Sequence, residues 1–218
     1  MALTDQFVDY FTRVQASPGW DRVLASFARF LALDRSAHVL DVGCGPGSLV
    51  RRLARAAALA HGCDADPRMI DRARRLAAAE GLTNVEFRVD QLPDLSYPPD
   101  RFDAVTATNV VFLQRDPAQA VNALARVCKP GGLVAMLNPS PQMSTAAALA
   151  HADRQGLTGF DRVSFINWSN VAEHNHRFSV EQITELFTAA GLVEITIEPK
   201  IAGLVFFAKA RKAEQVTG

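Results

Sequence analysis

Residues 39–47, reading Val-Leu-Asp-Val-Gly-Cys-Gly-Pro-Gly, constrain this chain more than any other segment. The apolar run at its start reads as a buried strand. Glycine at 43, 45 and 47 breaks that strand into a loop, and a helical pattern resumes at Ser48. Strand, glycine loop and helix together bring bare backbone against a nucleotide-like ligand. Asp41 lies within the strand just ahead of the glycines and adds negative charge beside the loop.

The flanking sequence repeats that rhythm. Two helical patterns open the chain. Phe7, Tyr10, Phe11 and Val14 mark the first, Ser17-Pro18-Gly19 breaks it, and Trp20, Val23, Leu24, Phe27, Phe30 and Leu31 mark the second. Strand one is expected at 37–42 and a helix at 47–58. Strand two runs from 58 to 63 and ends at Asp64, and a helix follows from Pro67 to Glu80, stopped by Gly81. Strand three is 85–89, ending at Asp90. A polar, proline-rich loop at 91–101 leads to strand four at 102–108. A helix from Pro117 ends before Lys129-Pro-Gly-Gly, and strand five follows at 133–137. Such alternation predicts an α/β doubly wound, mostly parallel sheet. The segment 140–178 leaves the rhythm and reads as helical. After a last helix at 179–190, two β-rich runs, 192–198 and 201–210, are separated only by Pro199-Lys200, so they should pair antiparallel.

At 218 residues and 49% hydrophobic content, the chain can bury one substantial core, so a single domain is expected. A formal net charge of zero removes the electrostatic footprint of a nucleic-acid binder. No apolar run approaches the roughly 20 residues that span a bilayer, and the N-terminus lacks the pattern of an export signal. Three cysteines without metal-ligand spacing read as reduced thiols of a cytoplasmic protein, and no metal is expected.

In doubly wound sheets, ligands bind beyond the carboxyl ends of the strands. Those ends carry the glycine loop, Asp64, Asp90 and Asn109. Asp64, about 20 residues past the loop, suits a ribose diol, since a carboxylate accepts from both hydroxyls. Asp90 could accept from an exocyclic amine. Together they describe an adenosine-like ligand. A dinucleotide site wants Gly-x-Gly-x-x-Gly, but here the third glycine comes one residue early and Ser48 occupies its place. Asp41 also favours a cationic ligand over a pyrophosphate.

The loop resembles motif I of the class I S-adenosylmethionine-dependent methyltransferases. Residues 62–70, 101–108 and 126–134 resemble that family's second acidic motif, fourth strand and turn into strand five. The likeness is nearest to the small-molecule branch that includes the menaquinone and ubiquinone C-methyltransferases. It implies a seven-stranded sheet of order 3-2-1-4-5-7-6 with strand seven antiparallel. It also divides the chain into a helical cap (1–36), a cofactor-binding core (37–139), a substrate-lid insertion (140–178) and a last helix with hairpin (179–210).

The same resemblance implies S-adenosylmethionine as methyl donor and S-adenosylhomocysteine as product. Gly43, Cys44 and Gly45 would let backbone approach the methionine part, and Asp41 would support the loop and the ammonium. Asp64 and Ala65 would hold the ribose, and Asp90 with the Gln91 backbone would read the adenine. Asn109 would lie near the transferred methyl. Tyr10 would close over the cofactor, and Arg13 could pair with its carboxylate. A buried helix face is the competing account of the aromatic stripe around Tyr10.

Methyl transfer from a sulfonium needs an in-line nucleophile in a site closed to water, and a base only where the nucleophile arrives protonated. His174 and His176 are the candidate bases, with a surface role as the alternative; His151 and Asp153 read as facing solvent from a helix. Phe160, Phe165, Trp168 and Phe178 suit either a pocket wall or the underside of a lid. The partner expected is a small organic acceptor with an O- or C-nucleophile, with no nucleic acid and no membrane span, and a monomer or homodimer. The rival readings are a cofactor-binding protein without transferase activity and a nicotinamide-dependent oxidoreductase.

Overall fold

The computed structural model describes residues 5–214, and the architecture follows the alternation in the sequence. Helices α1 (Asp5–Gln15) and α2 (Pro18–Leu31) precede β1 (His38–Val42), α3 (Ser48–Leu53), β2 (Leu59–Asp64), α4 (Pro67–Ala79) and β3 (Val85–Val89). Next come β4 (Phe102–Thr108), α5 (Pro117–Val127) and β5 (Cys128–Pro139). Helices α6 (Thr145–Arg154), α7 (Gly159–Glu173) and α8 (Val180–Ala189) lead to β6 (Leu192–Lys200) and β7 (Val205–Lys212). The sheet order is β3-β2-β1-β4-β5-β7-β6, with β7 antiparallel to both its neighbours. The expected order and orientation are both present.

Buried strand residues alternate between the two faces of the sheet. Leu40, Val42 and Val105 pack with Val121, Leu124, Ile183 and Phe187 of α5 and α8. Val39, Ala104 and Leu137 pack with Phe27, Leu49, Val50 and Ile70 of α2, α3 and α4. Fully burying an aliphatic side chain of this size contributes about 1.5–3 kcal/mol. The two apolar clusters therefore fix the sheet between helical layers. Strand order reverses between β1 and β4, and the loops after these strands stand side by side at that switch.

Three local expectations are corrected. Helix α3 stops at Leu53, well before residue 58. Asn84 reaches back and donates through Nδ2 to the carbonyls of Ala54 (2.7 Å) and Ala57 (3.2 Å), satisfying groups that a longer helix would have paired. Strand β5 starts at Cys128, which pairs with Phe102, while Pro130–Gly132 bulges out before Leu133 rejoins opposite Ala104. The hairpin turn falls at 201–204, and Pro199 and Lys200 are strand residues facing Phe206 and Val205. Ile201, Ala202 and Gly203 take φ of 51°, 53° and 85°, so the chain reverses there despite a β-rich composition. Pro199 is tolerated because β6 is the outermost strand, where a missing N–H leaves no partner unsatisfied.

Candidate active site

A cavity of about 1000 Å³ opens at the switch point between β1 and β4. Its walls come from α1, α2, the strand ends, α6 and α7, and the β6–β7 turn. Among the expected site residues, Gly43, Gly45, Asp64 and Ala65 line it. Asp90, Gln91, Asn109 and Tyr10 line it as well. The strand-end logic therefore collects residues 66 positions apart, from Gly43 to Asn109, into one space.

Asp64 anchors the glycine loop. Its Oδ2 accepts from the Gly45 N–H at 2.9 Å and its Oδ1 from the Asp66 N–H at 3.0 Å. Burial raises its carboxyl above the ordinary value, against the lowering effect of those backbone donors. Each oxygen keeps a further lone pair for a ligand hydroxyl. Asp90 is similarly tied. Ser96 donates to its Oδ2 from N–H (3.0 Å) and hydroxyl (2.8 Å), and the Gln91 N–H meets Oδ1 at 3.1 Å. Asn109 sits at φ 58° and donates its N–H to the Leu137 carbonyl at 2.9 Å. Its side-chain Oδ1 is buried without a partner among the described residues.

Asp41 and Cys44 stand behind the cavity wall and do not line it. Asp41 is 1% exposed; Thr106 donates its hydroxyl to Oδ1 at 2.8 Å, and Oδ2 has no partner among the described residues. Burial pushes its carboxyl up to about 7, with the Thr106 hydrogen bond opposing and the charge of Asp64 adding to the rise. The Cys44 side chain is buried, and its thiol is raised by burial and by the acids around it. Its thiol donates to the Gly45 carbonyl at 3.5 Å and its own carbonyl accepts from the Gly47 N–H at 3.0 Å, so residue 44 braces the loop from inside.

Gly43 shows why the loop needs glycine. It takes φ 70°, and a Cβ there would lie 2.2 Å from Val110 Cγ2 on the neighbouring loop. Gly43→Ala is therefore expected to destabilise the protein by about 2–4 kcal/mol, from left-handed strain plus overpacking. Adding Val110→Ala should recover part of that loss in denaturant melts; full additivity of the two changes would show that the contact is unimportant.

Sequence reasoning missed Gln15. Its Nε2 donates to the Cys44 carbonyl at 3.2 Å and its Oε1 accepts from the Ser48 N–H at 3.0 Å, clamping α1 onto the glycine loop. No local pattern encodes a contact across 33 residues. Helix α1 also meets α7, where Asn167 Nδ2 donates to the Tyr10 hydroxyl at 3.3 Å. Arg13 lies over the Phe160 ring at 3.9 Å and does not line the cavity, correcting its expected role toward a ligand carboxylate.

The histidine expectation is also corrected. Helix α7 continues to Glu173, so His174 is its exposed C-terminal cap, with Nδ1 2.8 Å from the Asn170 carbonyl. His176 is exposed and stacks on Phe178, and neither histidine lines the cavity. His151 does line it, against the expectation that it faces solvent, whereas Asp153 pairs with Arg162 at 2.6 Å. Phe165 and Trp168 are wall residues; Phe178 belongs to the core. Among the described residues, no cluster of three or more His, Cys, Asp or Glu side chains could hold a metal ion. No helix among them is long and apolar enough to cross a membrane.

Residues 39–132 match a family described as a methyltransferase domain. Solved structures share the fold. A phosphoethanolamine N-methyltransferase 2 of Haemonchus contortus in complex with S-adenosyl-L-methionine aligns over 97% of this chain and 58% of its own, at TM-score 0.72 and 20% identity. The cyclase SpnF aligns over 90% and 82%, at TM-score 0.66 and 20% identity. Residues 39–132 are thus similar to a methyltransferase domain, and the strand order and shared fold define the class that the chain resembles, the class I S-adenosylmethionine-dependent methyltransferases. Within that class it is similar to a ubiquinone biosynthesis O-methyltransferase of Cereibacter sphaeroides, 37% identical over 148 residues. That alignment covers 67% of this chain and 57% of the relative, so the chain spans little more than half the length of that relative.

Proposed function

We propose that this protein transfers a methyl group from S-adenosylmethionine to a small organic acceptor. The observation that carries the reading is the meeting, in one cavity, of Gly43, Gly45, Asp64, Asp90 and Asn109 with an aromatic chamber formed by Trp20, Phe165 and Trp168. The residues present fit the donor. Asn109 Oδ1, unpartnered among the described residues, and the carboxylate of Asp64 offer acceptors, and the buried Asp41 carboxyl stands under the loop, where a cationic ligand would favour its ionised form. In this reading Asp64 and Ala65 hold the ribose, Asp90 and Gln91 the adenine, and Asn109, Gly43 and Gly45 the methionine part, with Tyr10 covering it. When bound, the donor supplies a methyl group already activated on a sulfonium.

The chain's own contribution is positioning and exclusion of water. Gln15 and Tyr10 tie α1 to the glycine loop and to α7, covering the cavity from one side. The aromatic chamber holds the acceptor by apolar contact. The name of the curated relatives favours an oxygen nucleophile. The division into cap, core and lid belongs to the same reading, as does a reducing, cytoplasmic setting, which the three buried free cysteines support.

Incubation with S-adenosylmethionine and a panel of phenols, quinols and amines, read by product mass, tests the proposal. A methylated product with matching release of S-adenosylhomocysteine is expected. Retained binding with no turnover across the panel would favour a cofactor-binding protein instead. Tight NAD binding in place of S-adenosylhomocysteine would move the chain to the oxidoreductases.

A further inference from the structure

His151 sits on α6, the first helix after β5 leaves the sheet, and its side chain is part of the cavity wall. Its ring packs on Phe165 at 5.5 Å between centroids, among the apolar wall residues Leu157 and Trp168. Nδ1 is sealed in the wall without a partner among the described residues. Nε2, the ring's other nitrogen, is not sealed in this way. Burial, and secondarily the positive charge of Arg154 on the same helix, hold the imidazole below its ordinary value. The side chain is therefore a neutral base at physiological pH.

The other charged groups of the cavity serve elsewhere. Asp64 and Asp90 are tied to backbone and Ser96 at the adenosine end. Lys200, at the end of β6, pairs with Glu198 at 2.6 Å. Arg22 on α2 is an exposed guanidinium and cannot accept a proton. Asp161 on α7 carries its carboxylate beside Gly19 at the start of α2.

We propose that His151 is the catalytic base of the acceptor subsite and that the acceptor is a hydroxyl compound, a phenol or an enol. This rests on the methyl-transfer reading above. The acceptor O–H bond breaks, its proton passing to His151 Nε2 and its electrons remaining on oxygen. An oxygen lone pair forms the new bond to the methyl carbon, and the carbon–sulfur bond breaks with its electrons left on sulfur as a neutral thioether. One positive charge disappears from sulfur and one appears on the imidazole. The net charge of the cavity is unchanged, which matters where water is excluded.

The test needs no acceptor. Imidazole resonances of the full chain are titrated by NMR with saturating S-adenosylhomocysteine and again with S-adenosylmethionine, and His151 is assigned by the loss of its signal in His151→Asn. A sulfonium close to His151 disfavours the imidazolium, so His151 should titrate at least about half a pH unit lower with S-adenosylmethionine than with S-adenosylhomocysteine. His174 and His176, outside the cavity, should titrate alike in both complexes. Equal values for His151 in two demonstrably bound complexes would overturn its role as base while leaving the donor site intact. Failure of both ligands to bind would overturn the methyl-transfer reading itself, and this proposal with it.

Discussion

Alanine in place of Asp64 should weaken S-adenosylhomocysteine binding by roughly tenfold to a hundredfold. A carboxylate accepting from a ribose hydroxyl is a hydrogen bond to a charged group, worth about 1.5–3 kcal/mol, and each 1.4 kcal/mol is tenfold in affinity. The fold should survive. Alanine removes the acceptor for the Gly45 and Asp66 N–H groups, which costs stability, but it also removes a carboxylate that burial makes expensive to ionise. These effects oppose, so the melting temperature should move by only a few degrees. Calorimetric titration beside a thermal melt separates binding from folding. Unchanged affinity in a folded variant would refute the ribose assignment.

Asp41→Asn should do the reverse: stabilise the unliganded protein and weaken donor binding. The Asp41 carboxyl is pushed up to about 7 by burial, against an unfolded value near 3.9. The folded state therefore holds its proton more tightly than the unfolded state. Stability is greatest below about pH 4, falls as pH rises toward 7, and is level above that. Asparagine is neutral throughout, so its advantage should be absent at pH 4 and full at pH 8, on the order of 2–4 kcal/mol or roughly 5–10 °C. Thr106 can still donate to the amide oxygen. Donor affinity should fall several-fold, because the negative charge beneath the loop is lost. Denaturant melts at both pH values check the first part, and a pH-independent difference would mean that Asp41 is neutral in the native protein for another reason. Stability lost to a functional charge is a common trade.

Both changes act on residues that the sequence itself announces. Asp41, Asp64 and Asp90 are legible because strands place their ends predictably and the glycine loop names the ligand-facing side. The strand order was likewise accessible, through a resemblance carried by several separate motifs. What stayed hidden depends on contacts distant in sequence. Asn84 ends α3 from 30 residues away, and Gln15 clamps a loop from 33 residues away. The histidines were misplaced for a related reason: whether His151 or His176 faces the cavity depends on where α7 ends and how α6 lies, and weak amphipathicity in both helices left that undetermined. The hairpin turn was misread because Ile201 and Ala202 are poor turn residues by composition, yet adopt left-handed backbone here.

The outermost strand bears on self-association. An exposed strand edge is a template on which a second chain can extend the sheet. Strand β6 is a poor template: its register slips between Val193 and Thr196, Glu194 takes φ 54°, and Pro199 offers no N–H. Glu198 and Lys200 add a charge pair at the strand's end. At high concentration, copies of this chain meet a kinked and charged margin on that side, and the flat ladder that ordered aggregation requires is missing there.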